Sequence, residues 1–246
     1  MTEKLYEGKA KILYTTDDPD ILLTHFKDDA TAFNAQKRGT IVEKGKMNCQ
    51  ITVALFQWLE SKGIPTHLIK QSADDKILVK RVKIIPIEVV VRNIAAGSLC
   101  RQTGLEEGSK LPFPLVEFYF KNDELGDPLL TRDRLLILEL ATEEQLKQLQ
   151  NLALSINQHL QEFFASCQIT LVDFKLEFGL DKQGKILLAD EISPDTCRLW
   201  DQTEKDPQKR VMDKDRFRRD LGKVETAYQQ VQKRVLEELG SAKKGL

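Results

Sequence analysis

The 246 residues hold little of what most metal, redox and membrane chemistries need. Four cysteines, Cys49, Cys100, Cys167 and Cys197, form no CxxC pair and have no histidine beside them, so neither a zinc site nor a disulfide framework is expected, and the thiols should be reduced and mostly buried. The three histidines, His25, His67 and His159, are scattered, which leaves a Cys/His nucleophile without support. If a metal is used, carboxylates must hold it. The longest apolar stretch, Ile84 to Val91, is broken by Pro86 and Glu88 and falls far short of the roughly 18 residues a membrane helix needs. The start, Met1 to Tyr6, runs straight into charged sequence with no apolar secretory region, so the cytoplasm is the expected compartment. Charge of one sign is missing too. Lys and Arg number 37 against 38 Asp and Glu, and the pI is about 6.4, so no global field draws the chain to nucleic acid and any anion must bind at local basic sites. GxGxxG is absent. The nearest approach to a P-loop fails because Gly39 and Gly45 are one residue too far apart and Met47 stands where Ser or Thr is required.

What is present reads as mixed α+β. Apolar residues at 41% and charged residues at 30% suit a globular protein of one large or two small domains. Short strands are expected at Lys4-Tyr6, Lys11-Tyr14 and Ile21-Phe26, then a helix from Met47 to Lys62 that Gly63 and Pro65 end. Ile77-Val82 and Ile87-Arg92 are β-rich, and Lys83 to Pro86 between them reads as a crossover, giving a β-rich part over 1–84 and a larger α+β part over 85–246. Gly104 to Pro128 reads as irregular structure. Thr142 with Gln145 forms a capping box for a helix through Ser166, whose stripe Leu146, Leu149, Ala153, Ile156, Leu160, Phe163 and Phe164 is core. A hairpin around Asp181-Gly184 follows, and a last amphipathic helix is expected from about Asp213 to Leu239, with a fraying tail at Ser241-Lys244.

The chemistry concentrates late in the chain. Leu171 to Phe178 alternates strictly, so Asp173, Lys175 and Glu177 share one strand face. If Gln183-Gly184 is a two-residue loop, Glu177 lies opposite Asp190, and a hard cation such as Mg²⁺ between the carboxylates would relieve their repulsion. A three-residue loop moves Asp190 to the other face, and a solvated charged strand is the plainer alternative. Ser193-Pro194-Asp195 and Arg198 follow directly. Arg198 can grip a phosphate or carboxylate, or simply pair with Asp201, while Asp195 can simply cap its turn. Near the start, Tyr6-Glu7-Gly8-Lys9-Ala10-Lys11 puts a glycine and two lysines at a strand-to-strand turn where phosphate could meet backbone N–H groups. Arg92 ends a β-run that leads through small residues to Ser98, a second place for a phosphomonoester or a bare helix cap.

Taken together, Tyr6-Lys11, Asp28-Asn34, Val91-Ser98, Asp173-Gly179, Asp190-Asp195 and Asp213-Arg218 resemble the phosphoribosylaminoimidazole-succinocarboxamide synthase family, the SAICAR synthetases, over nearly the whole chain. The resemblance implies an ATP-dependent carbon–nitrogen ligase of purine biosynthesis that joins L-aspartate to carboxyaminoimidazole ribonucleotide, releasing ADP and phosphate, with Mg²⁺. It also implies a kinase-lobe-like amino-terminal lobe with nucleotide between it and the larger lobe, and a homodimer. By matching positions it assigns Gly8, Lys9, Ala10, Lys11, Glu177 and Asp190 to ATP, Glu177 and Asp190 also to Mg²⁺, Arg92, Ser98 and Arg198 to the ribonucleotide phosphate, and Lys175 and Asp195 to the reacting groups. Thr131 to Arg134 departs from the family pattern, so no role is carried over there. The runner-up is a small-molecule kinase, but the chain has no His-Arg-Asp and its nearest string to Asp-Phe-Gly is Asp173-Phe174-Lys175. A non-catalytic nucleotide sensor would not need both metal carboxylates.

Overall fold

A computed structural model describes residues 3–32 and 36–242; Phe33 and Asn34 of the Asp28-Asn34 segment, and the tail beyond 242, lie outside it. In chain order the elements are β1 Lys4–Glu7, β2 Lys11–Thr15, β3 Ile21–Phe26, β4 Asp29–Ala32, β5 Lys37–Thr40, α1 Lys44–Ser61, β6 Leu68–Ala73, β7 Lys76–Lys80 and β8 Lys83–Ile94. Then come α2 Ser98–Thr103, β9 Lys110–Phe120, β10 Leu129–Leu130, α3 Arg132–Ile137, α4 Glu143–Ser166, β11 Ile169–Leu180, β12 Ile186–Ala189, β13 Cys197–Asp201, α5 Asp215–Arg218 and α6 Val224–Ala242.

Two large antiparallel sheets carry most of the chain, and β4 and β5 pair as a small third one. The first, β1-β2-β3-β7-β6, uses only residues before 84; the second is β10-β9-β8-β11-β12, with β13 also on β11. The segment ahead of β6 links them, for the His67 N–H donates to the Leu188 carbonyl of β12 at 2.8 Å while the His67 carbonyl accepts from Lys80 of β7 at 2.7 Å. One hydrophobic core runs under both, from Phe26, Leu55 and Ile77 to Phe164, Phe174 and Val235. As expected, the Thr142 hydroxyl accepts from the Gln145 N–H and the Gln145 side chain accepts in return, and the whole predicted stripe of α4 is buried.

Three expectations are corrected. Lys83 to Pro86 is no crossover but the start of β8; Pro86 is tolerated because the β8–β11 pairing slips between Glu88 and Ile84, where a missing N–H costs no ladder bond. Gly104 to Pro128 contains the eleven-residue β9. Its Pro112 and Pro114 hid it, and they sit where pairing with β8 shifts between Leu115 and Lys110. The last helix is two, α5 and α6. Asp220, Gly222 and Lys223 take left-handed backbone, and the buried Arg216 guanidinium donates to the carbonyls of Leu221 and Gly222, satisfying the break.

Candidate active site

Strand β11 places the charged side chains, and its neighbours fix their partners. Asp173 pairs with Arg92 of β8 on one side and Arg198 of β13 on the other, so a carboxylate sits in register between two guanidiniums. Asp173 accepts from Arg92 Nη1 at 3.0 Å and from Arg198 Nη1 at 2.9 Å. Arg92 also donates to Glu117, to the Ser98 hydroxyl at 2.9 Å and to Tyr119. Ser98 opens α2 behind Gly97, so it serves Arg92 rather than capping the helix. Arg198 donates through Nε to Asp215 at 2.8 Å, while Asp201 binds Arg234 instead, so the expected Arg198–Asp201 pair does not form. Burial opposes the charge on Arg198, yet Asp173 and Asp215 hold its pKa above the ordinary value. This strand face is shielded rather than solvated, since Asp173 and Glu177 are each 4% exposed.

Two residues along β11 a second cluster begins. The Lys175 ammonium lies 2.5 Å from Glu177 Oε1 and 3.0 Å from Asp190 Oδ2, with Glu88 at 3.7 Å. Lys11 pairs with Asp190 and, at 2.9 Å, with Glu191; Lys121 reaches Glu177 at 2.6 Å. Burial alone would neutralise these groups, but the opposite charges win: Lys11 and Lys175 are pushed above the usual lysine range and Asp190 below the usual carboxylate range.

The hairpin reaches this convergence by an unexpected route. Asp181 N–H bonds to Lys185 across a three-residue loop closed by Gly184 in left-handed backbone, so Glu177 faces Ala189, not Asp190. A continuing strand would send Asp190 to the far face. Instead Asp190 adopts φ 59°, and that turn brings its carboxylate back to Glu177 through Lys175.

A third cluster surrounds Asp195. Its Oδ2 accepts from Lys44 at 2.8 Å and its Oδ1 from the Tyr228 hydroxyl at 2.7 Å, so Asp195 does far more than cap a turn. Lys44 and Tyr228 had no sequence signal: a lone lysine at a helix start and a tyrosine in a helical stripe look ordinary.

The glycine turn is only partly as expected. The Gly8 N–H donates to the Lys11 carbonyl at 2.8 Å, the Ala10 carbonyl accepts from Lys27, and the Lys9 ammonium reaches Asp123 at 2.7 Å, away from the carboxylates. Of this segment only Lys11 enters the second cluster. Thr131 caps α3 by accepting from Arg134, and Arg132 pairs with Glu143. All four cysteines are free thiols, and burial pushes Cys49 and Cys167 up to about 12. Among the described residues no helix is long and apolar enough to cross a membrane.

The profile of SAICAR synthetase matches residues 4–235. The chain belongs to the SAICAR synthetase family. A phosphoribosylaminoimidazole-succinocarboxamide synthase from a Picosynechococcus species is 73% identical over 95% of this chain and 94% of its own length; one from Trichodesmium erythraeum is 71% identical over 97% and 98%. Among solved structures, the synthase of Ehrlichia chaffeensis superposes with a TM-score of 0.91 at 45% identity, covering 95% of this chain and 98% of that one. A SAICAR synthetase solved in complex with ADP superposes at 0.89 with 46% identity, covering 94% and 96%. In this family member the three clusters hold nine of the segment positions singled out by resemblance or adjoining them: Lys11, Arg92, Ser98, Asp173, Lys175, Glu177, Asp190, Asp195 and Arg198.

Proposed function

We propose that this chain is an ATP-dependent ligase that joins the amine of L-aspartate to the carboxylate of 5-amino-1-(5-phospho-D-ribosyl)imidazole-4-carboxylate, forming the succinocarboxamide, ADP and phosphate in purine biosynthesis. One observation carries the reading: a paired-arginine cluster and a lysine–carboxylate cluster share one face of β11, with Asp173 and Glu177 about 13 Å apart along the strand. That spacing suits a small molecule whose phosphate lies at one end and whose reacting carboxylate lies at the other.

In this reading Arg92, Ser98 and Arg198 hold the ribonucleotide phosphate, with Asp173 keeping both guanidiniums aimed. Lys11 and Lys175 screen the ATP phosphates from the anionic substrate, beneath the turn of Gly8, Lys9 and Ala10. A carboxylate is a poor acyl electrophile, so its oxygen attacks the γ-phosphorus and ADP leaves; the aspartate amine then attacks the acyl phosphate carbon, sheds a proton, and phosphate departs. Glu177 and Asp190 fit Mg²⁺, being converging hard oxygen donors, and among the described residues no group of three or more His, Cys, Asp or Glu could hold a metal alone, which leaves phosphate oxygens and water to complete the shell. Mg²⁺ would supply charge neutralisation at the transferring phosphoryl group. The two-lobed division near residue 84, a cytoplasmic location and a homodimer belong to the same reading.

The test is ADP release with each substrate withheld in turn. Release should require both the carboxylated ribonucleotide and aspartate; release without aspartate would instead indicate a kinase acting on the ribonucleotide. For the metal, Glu177→Gln should lower kcat about 100-fold with folding retained, because one oxygen ligand becomes an amide. Full activity of that variant at limiting Mg²⁺ would refute the assignment.

A further inference from the structure

The third cluster is built at visible cost. Lys44 is 1% exposed and Asp195 5%, so an ammonium and a carboxylate are both removed from water, an arrangement that an apolar pair of similar size commonly matches or betters in stability. The backbone is bent to place it. Glu43, immediately before α1, takes φ 58°, and the next turn tolerates only glycine at Gly45, where a Cβ would lie 2.4 Å from the Phe26 carbonyl oxygen. Asp28 holds this start by accepting from the Glu43 and Gly45 N–H groups at 3.2 and 2.9 Å. From the other side α6 delivers Tyr228, fully buried, onto the second carboxylate oxygen, and Lys214 ahead of α5 adds a further positive charge. Ser193 accepts from the Asp195 N–H, and Pro194 accepts from Lys214 N–H, fixing the loop itself. Lys44, Lys214 and Tyr228, from three separate parts of the chain, thus converge on the one carboxylate of Asp195.

We propose that Lys44 and Tyr228 are positioning residues that hold Asp195 as a permanent, oriented anion beside the reacting groups, so that Asp195 works by its fixed charge and not by accepting a proton. Its neighbours agree with this role: burial favours the neutral acid, but Lys44, Lys214 and Tyr228 outweigh it and keep the carboxyl below the usual carboxylate range. With both oxygens already bonded, Asp195 offers a negative charge that does not move to the aspartate amine as its nitrogen turns positive in attacking the acyl carbon, before that nitrogen sheds its proton to water. The inference rests on the ligase reading above.

The experiment compares wild type, Lys44→Met and the double variant Lys44→Met with Asp195→Asn, in kcat, KM, melting temperature and the pH profile of kcat/KM. Lys44→Met should lose about 100-fold in kcat with the ribonucleotide KM within about threefold, and its profile should gain an acid limb that wild type lacks, as the unpaired Asp195 takes up a proton nearer neutrality. The double variant removes the stranded charge, so its melting temperature should return to within a few degrees of wild type while kcat stays about 100-fold low. Recovery of both stability and turnover in the double variant would overturn the proposal, leaving the pair merely structural, and so would a Lys44→Met profile with no new limb. If Lys44→Met does not fold, the double variant decides. Wild-type amide formation tests the ligase reading by itself, and the ratios between variants test this inference.

Discussion

Replacing Lys175 by Met is expected to cut turnover about 1,000-fold while the protein stays folded. The ammonium contacts Glu177 at 2.5 Å and Asp190 at 3.0 Å, so the two carboxylate oxygens it separates lie within about 5.5 Å of each other. Without it they face one another across a shielded space, and at an effective dielectric near 20 their repulsion costs about 3 kcal/mol. The fold should survive, because Lys11 still pairs with Asp190 and Lys121 with Glu177. Turnover should not, since Lys175 is the ammonium that bridges both carboxylates, whereas Lys11 reaches Asp190 but not Glu177 and Lys121 reaches Glu177 but not Asp190. Adding Mg²⁺ should raise the melting temperature of the variant more than that of wild type, as a second cation relieves the repulsion, yet leave kcat depressed. ADP release assays and thermal melts across a Mg²⁺ series check both halves. Turnover within tenfold of wild type would remove Lys175 from the reaction.

The second large effect should come from Gly97→Ala. Gly97 has φ 58° and ψ −124°, a region that side-chain-bearing residues rarely enter, and a Cβ there would stand 2.5 Å from Arg198 Nη2 and 2.7 Å from its Cζ. A free arginine tip would move aside cheaply. This one is held by Asp173 and Asp215, so displacing it breaks charged hydrogen bonds in the cluster proposed to hold the ribonucleotide phosphate. The expected result is a rise of about 100-fold in KM for the ribonucleotide, equivalent to about 3 kcal/mol, with about 2 kcal/mol lost in stability from backbone strain. The KM for ATP should change little, because the Lys11 and Lys175 contacts do not pass through Gly97. A ribonucleotide KM within threefold of wild type would show that Arg198 does not hold that phosphate.

Elements with a local cause were legible. The capping box of Thr142 and Gln145 and the seven-residue apolar stripe of α4 need only the helix period, and the alternation of Leu171 to Phe178 needs only the strand period. What failed depended on neighbours. Pro86, Pro112 and Pro114 argue against strands until the pairing slips that house them are known. Gly222 lies inside the last helical pattern, and the apolar periodicity of Phe217 through Val235 runs across it without marking the break between α5 and α6. At the site, the shared face of Asp173, Lys175 and Glu177 followed from alternation, whereas Asp190 joined it through a left-handed residue that alternation does not anticipate. Lys44 could not have been singled out, because its partner lies 151 residues away.

The stitch at His67 limits how this molecule can breathe. One residue there bonds to β12 through its N–H and to β7 through its carbonyl, so a displacement of either sheet at that point is passed to the other through a single residue's backbone. Charge backs up that backbone link, since Lys11 crosses to Asp190 and Lys9 to Asp123, so the edge of the first sheet is also anchored by two ammonium groups.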